Sequence, residues 1–178
     1  MTVVVRKATV DDAKRVADVI NAVIAEGGLT LFDTPISESQ ERAYIAALGS
    51  RSALHVAAAG DEIVGVQGID LFATVSASTS HVATMGTWLR PNARGRGIGR
   101  RLAGASFTFA QNHDYEEVMI QVLAGNERAL RFYRGLGFVD IGVARRHVRL
   151  MGRLHDEVFL EKYLAAAPPA APWRGAAT

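Results

Sequence analysis

The hexapeptide Arg94-Gly95-Arg96-Gly97-Ile98-Gly99 sets guanidinium groups among alternating glycines, a pattern suited to holding an anion. Glycines let a chain fold back so that successive N–H groups aim at one point, and a helix starting there adds its partial positive end. Guanidinium forks also match phosphate oxygens better than an ammonium does. Two common phosphate loops are disfavoured. A nucleotide P-loop needs Gly-Lys-Ser/Thr, and the chain has no Gly-Lys pair; a dinucleotide fingerprint needs a glycine three residues after Gly97, where Arg100 stands. The absence of cysteine removes disulfides, thiolate metal sites and a thiol nucleophile together. His55, His81, His113, His147 and His155 do not fall at metal-ligand spacing, so no metal is expected.

The chain has 178 residues, 49% hydrophobic and 21% charged, the balance of one ordinary soluble domain with a sizeable core. No apolar run approaches the ~20 residues of a membrane helix, and the start Met1-Thr2-Val3-Val4-Val5-Arg6 lacks a signal-peptide pattern. A cytoplasmic protein without a membrane partner is the expectation. Of the 20 basic residues 17 are arginines, bunched at 90–101 and 145–153. Read as a nucleic-acid patch, Arg90, Arg94, Arg96, Arg100 and Arg101 lack interleaved aromatics, and a net charge of +2 is low for such a binder, so no nucleic-acid partner is expected.

The elements that must position the turn follow from periodicity. Residues 3–7 read as a strand, and Thr9 with Asp12 as a capping box opening a helix over about 10–26 that Gly27-Gly28 stops. Ser37 with Gln40 caps a helix over about 38–49. Residues 52–59 and 62–72 are apolar runs joined by Gly60-Asp61, the grammar of an antiparallel hairpin. A Ser/Thr/Ala-rich loop over 73–80 precedes a strand over 81–89. The Arg-Gly turn starts a helix to about 112, a strand spans 117–122, and Asn126 caps a short helix closed by Gly135 and Gly137. Two strands over 138–148 and 154–163 finish the domain, 1–164, and an Ala/Pro-rich tail over 165–178 is expected to be mobile. This order predicts an α/β domain with a largely antiparallel sheet.

Two segments, Leu89-Arg90-Pro91 with Arg94 to Gly99, and Gln121 to Phe138, resemble the two coenzyme A motifs of GCN5-related N-acetyltransferases (GNAT), and the resemblance covers roughly residues 3–164. It implies a mixed, largely antiparallel sheet whose central strands splay, flanked by helices. It also implies acetyl-CoA as cosubstrate, its pantetheine arm on Thr87, Trp88 and Leu89 and its pyrophosphate on Arg94, Gly95, Arg96, Gly97, Ile98, Gly99 and Arg100. Asn126 would hydrogen-bond the arm, and Tyr133 would face the thioester sulfur as general acid. A tyrosine (pKa ~10) keeps its proton at neutral pH and can give it to a departing thiolate.

Many relatives carry a glutamate on the strand before the turn, whereas this chain has Thr84, Met85, Gly86 and Thr87 there. His81, with an ordinary pKa of ~6.5, is then the candidate base, directly or through water. The loop Thr30 to Ile36 and the stretch Gly152 to Val158 resemble the phosphinothricin and amino-acid acetyltransferase branch, which favours a small amino-acid-like or polyamine-like amine as acceptor. Phe32, Asp33 and Thr84 are candidate acceptor residues, with Trp88 as a second wall. Glu26 or Asp33 would meet an acceptor ammonium, and Arg145 and Arg146 its carboxylate. The alternatives are a protein N-terminal or lysine acetyltransferase, or a CoA-binding regulatory module. The closing strands also suit a homodimer interface.

Overall fold

The computed structural model describes residues 2–73 and 77–165; most of the expected tail, from residue 166, and part of the 73–80 loop lie outside them. Seven strands form one sheet in the order β1-β2-β3-β4-β5-β7-β6. These are β1 (Val4–Lys7), β2 (Ala53–Ala59), β3 (Glu62–Leu71), β4 (Val82–Leu89), β5 (Glu117–Leu123), β6 (Val139–Leu150) and β7 (Arg153–Tyr163). All neighbours run antiparallel except β4 and β5. Four helices flank it: α1 (Ala13–Glu26), α2 (Glu38–Ala47), α3 (Ile98–Gln111) and α4 (Glu127–Arg134). The expected architecture is therefore present, with shifted boundaries. Residues 10–12 form a 3-10 turn before α1, β6 begins one and ends two residues later than expected, and β7 begins one residue earlier.

Local chemistry explains the helix ends. The buried Asp12 carboxylate accepts from the Thr9 N–H at 2.9 Å, and Arg6 and Arg15 clamp it at 2.6 and 3.0 Å. These partners, the Arg6 hydrogen bond foremost, hold its carboxyl well below the usual range. In α2 the Gln40 N–H donates to Ser37 Oγ at 3.2 Å and the Ser37 N–H to Gln40 Oε1 at 2.8 Å, the reciprocal box that its spacing predicts. Gly27 and Gly28 end α1 at φ of 71° and 68°, a left-handed region that glycine enters at little cost.

Successive residues of a strand face opposite sides, and directly paired residues share a side. On one side Val66 and Trp88 pack with Val16, Ile20 and Ile45 of α1 and α2. On the other, Ile69 and Met85 pack with Phe109 of α3 and Tyr133 of α4. The β3–β4 register pairs Asp70 with Thr84 and Gly68 with Gly86, so these residues belong to the α1–α2 side; Gln67, paired with Thr87, belongs to the α3–α4 side. At the sheet's far edge β6 leaves Val139, Ile141 and Val143 exposed.

His55 of β2 is buried on the α3 side, its Nδ1 3.0 Å from Ser106 Oγ and its ring edge-on to Phe109. Burial, aided by Lys7, depresses its pKa from 6.5 to about 4. The fold thus favours the neutral ring, whereas the unfolded chain takes up a proton below pH 6.5, so stability falls as pH drops through this window and levels off below about 4. Urea unfolding at pH 7 and about pH 4.5 is expected to show a loss of about 2 to 3 kcal/mol from this group. His55→Gln will remove that part of the pH dependence; an unchanged dependence would show that the ring titrates normally.

Candidate active site

β4 and β5 are parallel and pair only at Val82–Glu117, Ala83–Val118 and Thr84–Met119. Beyond Thr84 the two strands diverge, β4 remaining on β3 as far as Leu89 and β5 on β7 as far as Leu123. The divergence opens a cleft of about 1170 Å³. From Met85 onward the β4 edge facing it has no ladder partner among the described residues, which leaves backbone N–H and C=O groups for an amide-bearing ligand.

At the mouth of the cleft the Arg-Gly turn leads into α3. Gly95 and Gly97 have φ of 73° and 76°, and a Cβ at either would meet open space, so the turn is left-handed at two points and unobstructed. Gly97 is the N-cap of α3, and the N–H groups of Ile98, Gly99 and Arg100 have no intrahelical acceptor. Gly99 has a different reason: a Cβ there would stand 3.1 Å from the Phe132 ring, so glycine lets α3 approach α4. Arg96 and Arg100 are exposed, Arg100 reaching the Gly135 carbonyl at 3.3 Å. Arg94 lines the cleft but is committed elsewhere. Its Nε donates to the Leu89 carbonyl at 3.1 Å, and its two terminal nitrogens grip both oxygens of Glu26.

α4 carries the central group. Asn126 caps it, accepting from the Ala129 N–H at 3.1 Å, and Leu130 and Tyr133 form its buried face. The Tyr133 hydroxyl lies 3.0 Å from Thr87 Oγ1, and Gln67 Nε2 donates to the same Thr87 oxygen at 2.7 Å. With Gln67 donating in, the Thr87 hydroxyl can donate its hydrogen bond to the phenol oxygen, and the phenol O–H is then free to point into the cleft. Burial pushes the Tyr133 hydroxyl above its usual pKa, so it stays protonated at neutral pH. Gln67 is fully buried, and its Oε1 has no partner among the described residues.

The α1–α2 side of the cleft is walled by the loop after α1, which begins beside Arg94 at Glu26. Phe32 stacks on Trp88 with ring centroids 5.8 Å apart, Trp88 Nε1 donates to Thr30 Oγ1 at 3.3 Å, and Asn126 Nδ2 donates to the Leu29 carbonyl at 3.0 Å. Tyr44 of α2, Asp70 and Thr84 also line the cleft, Asp70 and Thr84 on this same side of the sheet.

Of the residues expected from sequence, Phe32, Thr84, Thr87, Trp88, Leu89, Arg94, Gly95, Asn126 and Tyr133 line the cleft. Others do not. His81 precedes β4 at the end where β4 and β5 still pair; six residues from Thr87, it stands about 20 Å along the strand and outside the cleft. Asp33 is exposed, accepting from the Thr34 hydroxyl at 3.0 Å. Arg145 and Arg146 lie exposed on β6, whereas Glu26 lines the cleft but is occupied by Arg94. Asn126 uses its Oδ1 and one of its two Nδ2 hydrogens inside the protein, which leaves the second hydrogen for an arm. Gln67 and Asp70 also line or support the cleft, without any motif in the sequence to mark them. Their one local signal is a polar residue interrupting the apolar run of β3. Among the described residues no group of three His, Cys, Asp or Glu side chains is placed to hold a metal ion, and no helix is long and apolar enough to cross a membrane.

A split mixed sheet with a glycine nest at its mouth is an arrangement that known structures share. A phosphinothricin acetyltransferase from Sinorhizobium meliloti, solved in complex with acetyl-CoA, superposes with a TM-score of 0.86 at 21% identity, over 98% of this chain and 95% of that one. The sequence model of the acetyltransferase (GNAT) family matches residues 26–138, and the chain belongs to that family. Phosphinothricin N-acetyltransferase of Streptomyces coelicolor is 25% identical over 90% of this chain and 95% of its own length. N-alpha-acetyltransferase RimI of Mycobacterium tuberculosis is 35% identical over 54% of this chain, a match spanning 58% of that relative.

Proposed function

We propose that this acetyltransferase moves the acetyl group of acetyl-CoA to the primary amine of a small, amino-acid-like or polyamine-like molecule, by direct attack in a ternary complex. The observation that carries the reading is the Tyr133 hydroxyl, held by Thr87 where the sheet splits, between a free β4 edge and an open glycine nest. The pyrophosphate would rest on the N–H groups of the turn and the start of α3, and the pantetheine amides on the β4 edge beyond Thr84. An amine attacking the thioester carbonyl expels a thiolate, which takes the Tyr133 proton. A small acceptor is favoured by the aromatic wall of Phe32 and Trp88 and by the relative from Streptomyces coelicolor that matches nearly end to end. The higher identity to RimI supports a second reading, acetylation of a protein N-terminus.

Thermal unfolding with and without acetyl-CoA tests the donor. At about 100 times its dissociation constant, a ligand specific for the folded state raises Tm by about 5 °C or more in a chain of this size. No shift would remove acetyl-CoA from the scheme. An acceptor panel of free amino acids, polyamines and short peptides then separates the two readings, since turnover confined to peptides would favour the second.

A further inference from the structure

The geometry points to Asp70 as the group that receives the acceptor's ammonium and takes its first proton, an inference that rests on the acetyl-transfer reading above. Two carboxylates line the cleft, and Glu26 is gripped by Arg94. Asp70 has no ion pair among the described residues. Its Oδ1 accepts from the Ser52 hydroxyl at 2.6 Å and from the Leu71 N–H at 2.7 Å, while its Oδ2 has no hydrogen-bond partner among them. One oxygen is thus fixed and the other is free for a ligand. The carboxylate stands directly across from Thr84, on the strand next to the one that lacks an acid.

Position along the sheet fits the chemistry. Asp70 pairs three residues from the Gln67–Thr87 pair that holds Tyr133, about 10 Å along the strand, and it faces the α1–α2 side whereas Tyr133 approaches from the α3–α4 side. An ammonium bonded to Asp70, a carbonyl in near-attack contact and a sulfur bonded to the phenol need about the same length. The nitrogen and the leaving group therefore meet their partners on opposite sides of the split. The primary ammonium gives one proton to Asp70, which passes it to solvent. The free amine forms a C–N bond to the carbonyl carbon, the C–S bond breaks, and the sulfur takes the Tyr133 proton. The second proton lost by nitrogen returns through solvent to the phenolate, so one proton is released per turnover. Ser52 is a positioning residue that orients the carboxylate.

The test uses 2-phenylethylamine, whose ring suits the Phe32–Trp88 wall, and 2-phenylethanol as its uncharged counterpart. In wild type saturated with CoA, amide NMR shifts at the Thr84 end of the cleft should respond to the ammonium at concentrations well below those needed for the alcohol. Asp70→Asn is expected to abolish that preference. It should lower kcat/KM for amine acetylation about 100-fold while leaving KM for acetyl-CoA unchanged. Ser52→Ala should lower kcat about fivefold with a fall in Tm of no more than about 4 °C, and Ser52→Thr should restore kcat. A wild type that does not prefer the ammonium, or an Asp70→Asn variant with undiminished amine turnover, overturns the assignment. If acetyl-CoA fails to stabilise wild type, the donor reading falls instead.

Discussion

Tyr133→Phe will fold and bind acetyl-CoA, yet its kcat is expected to fall about 100-fold or more. The substitution keeps the ring that packs against Phe132 and Phe138, at centroid distances of 5.0 and 5.5 Å, so α4 retains its buried face. Only the hydroxyl is lost, and with it the proton donor to the thiolate. Thr87 then loses a partner but keeps the amide of Gln67, which limits the cost in stability to about 1 kcal/mol. Steady-state kinetics at saturating acetyl-CoA separates the effects: KM for the donor should stay within about twofold, and the loss should appear in kcat. A variant turning over within about threefold of wild type would show that the thiolate leaves without help from Tyr133.

Gly97→Val acts on the donor instead. The position holds φ at 76°, where a β-branched residue is strained by about 1 to 3 kcal/mol, and it is the N-cap that aims the start of α3. Because a Cβ there would meet open space, no packing clash accompanies the strain. The turn will relax toward negative φ and scatter its N–H groups. KM for acetyl-CoA is expected to rise about 30-fold, a loss of about 2 kcal/mol of phosphate binding, while kcat at saturation stays close to wild type. An unchanged KM would show that the pyrophosphate rests elsewhere.

Local signals were legible in proportion to how locally they act. Thr9 with Asp12, Ser37 with Gln40, the Gly60 hairpin and the Arg94–Gly99 turn each complete their chemistry within a few residues, and each sits where its spacing predicts. The residues that complete the cleft are non-local. Asp70 meets Thr84 through antiparallel register, Gln67 meets Thr87 across 20 residues, and Glu26 meets Arg94 across 68. No periodicity encodes such pairings. His81 lies outside the cleft for a related reason: it precedes a strand of eight residues whose two ends stand far apart, so nearness in sequence to β4 does not bring it near Thr87. The splay itself, implied by resemblance, depends on where parallel pairing stops, and that is decided by the packing of whole helices on either side.

The bond from Asn126 to the Leu29 carbonyl ties the loop that walls one side of the cleft to the helix that carries Tyr133. Because the acceptor of that bond is backbone, it constrains the path of the loop and not its amino acids. Side chains over residues 31–35 are thus free to diversify during evolution and so to explore new amines, while the anchor beneath them keeps the catalytic frame in register.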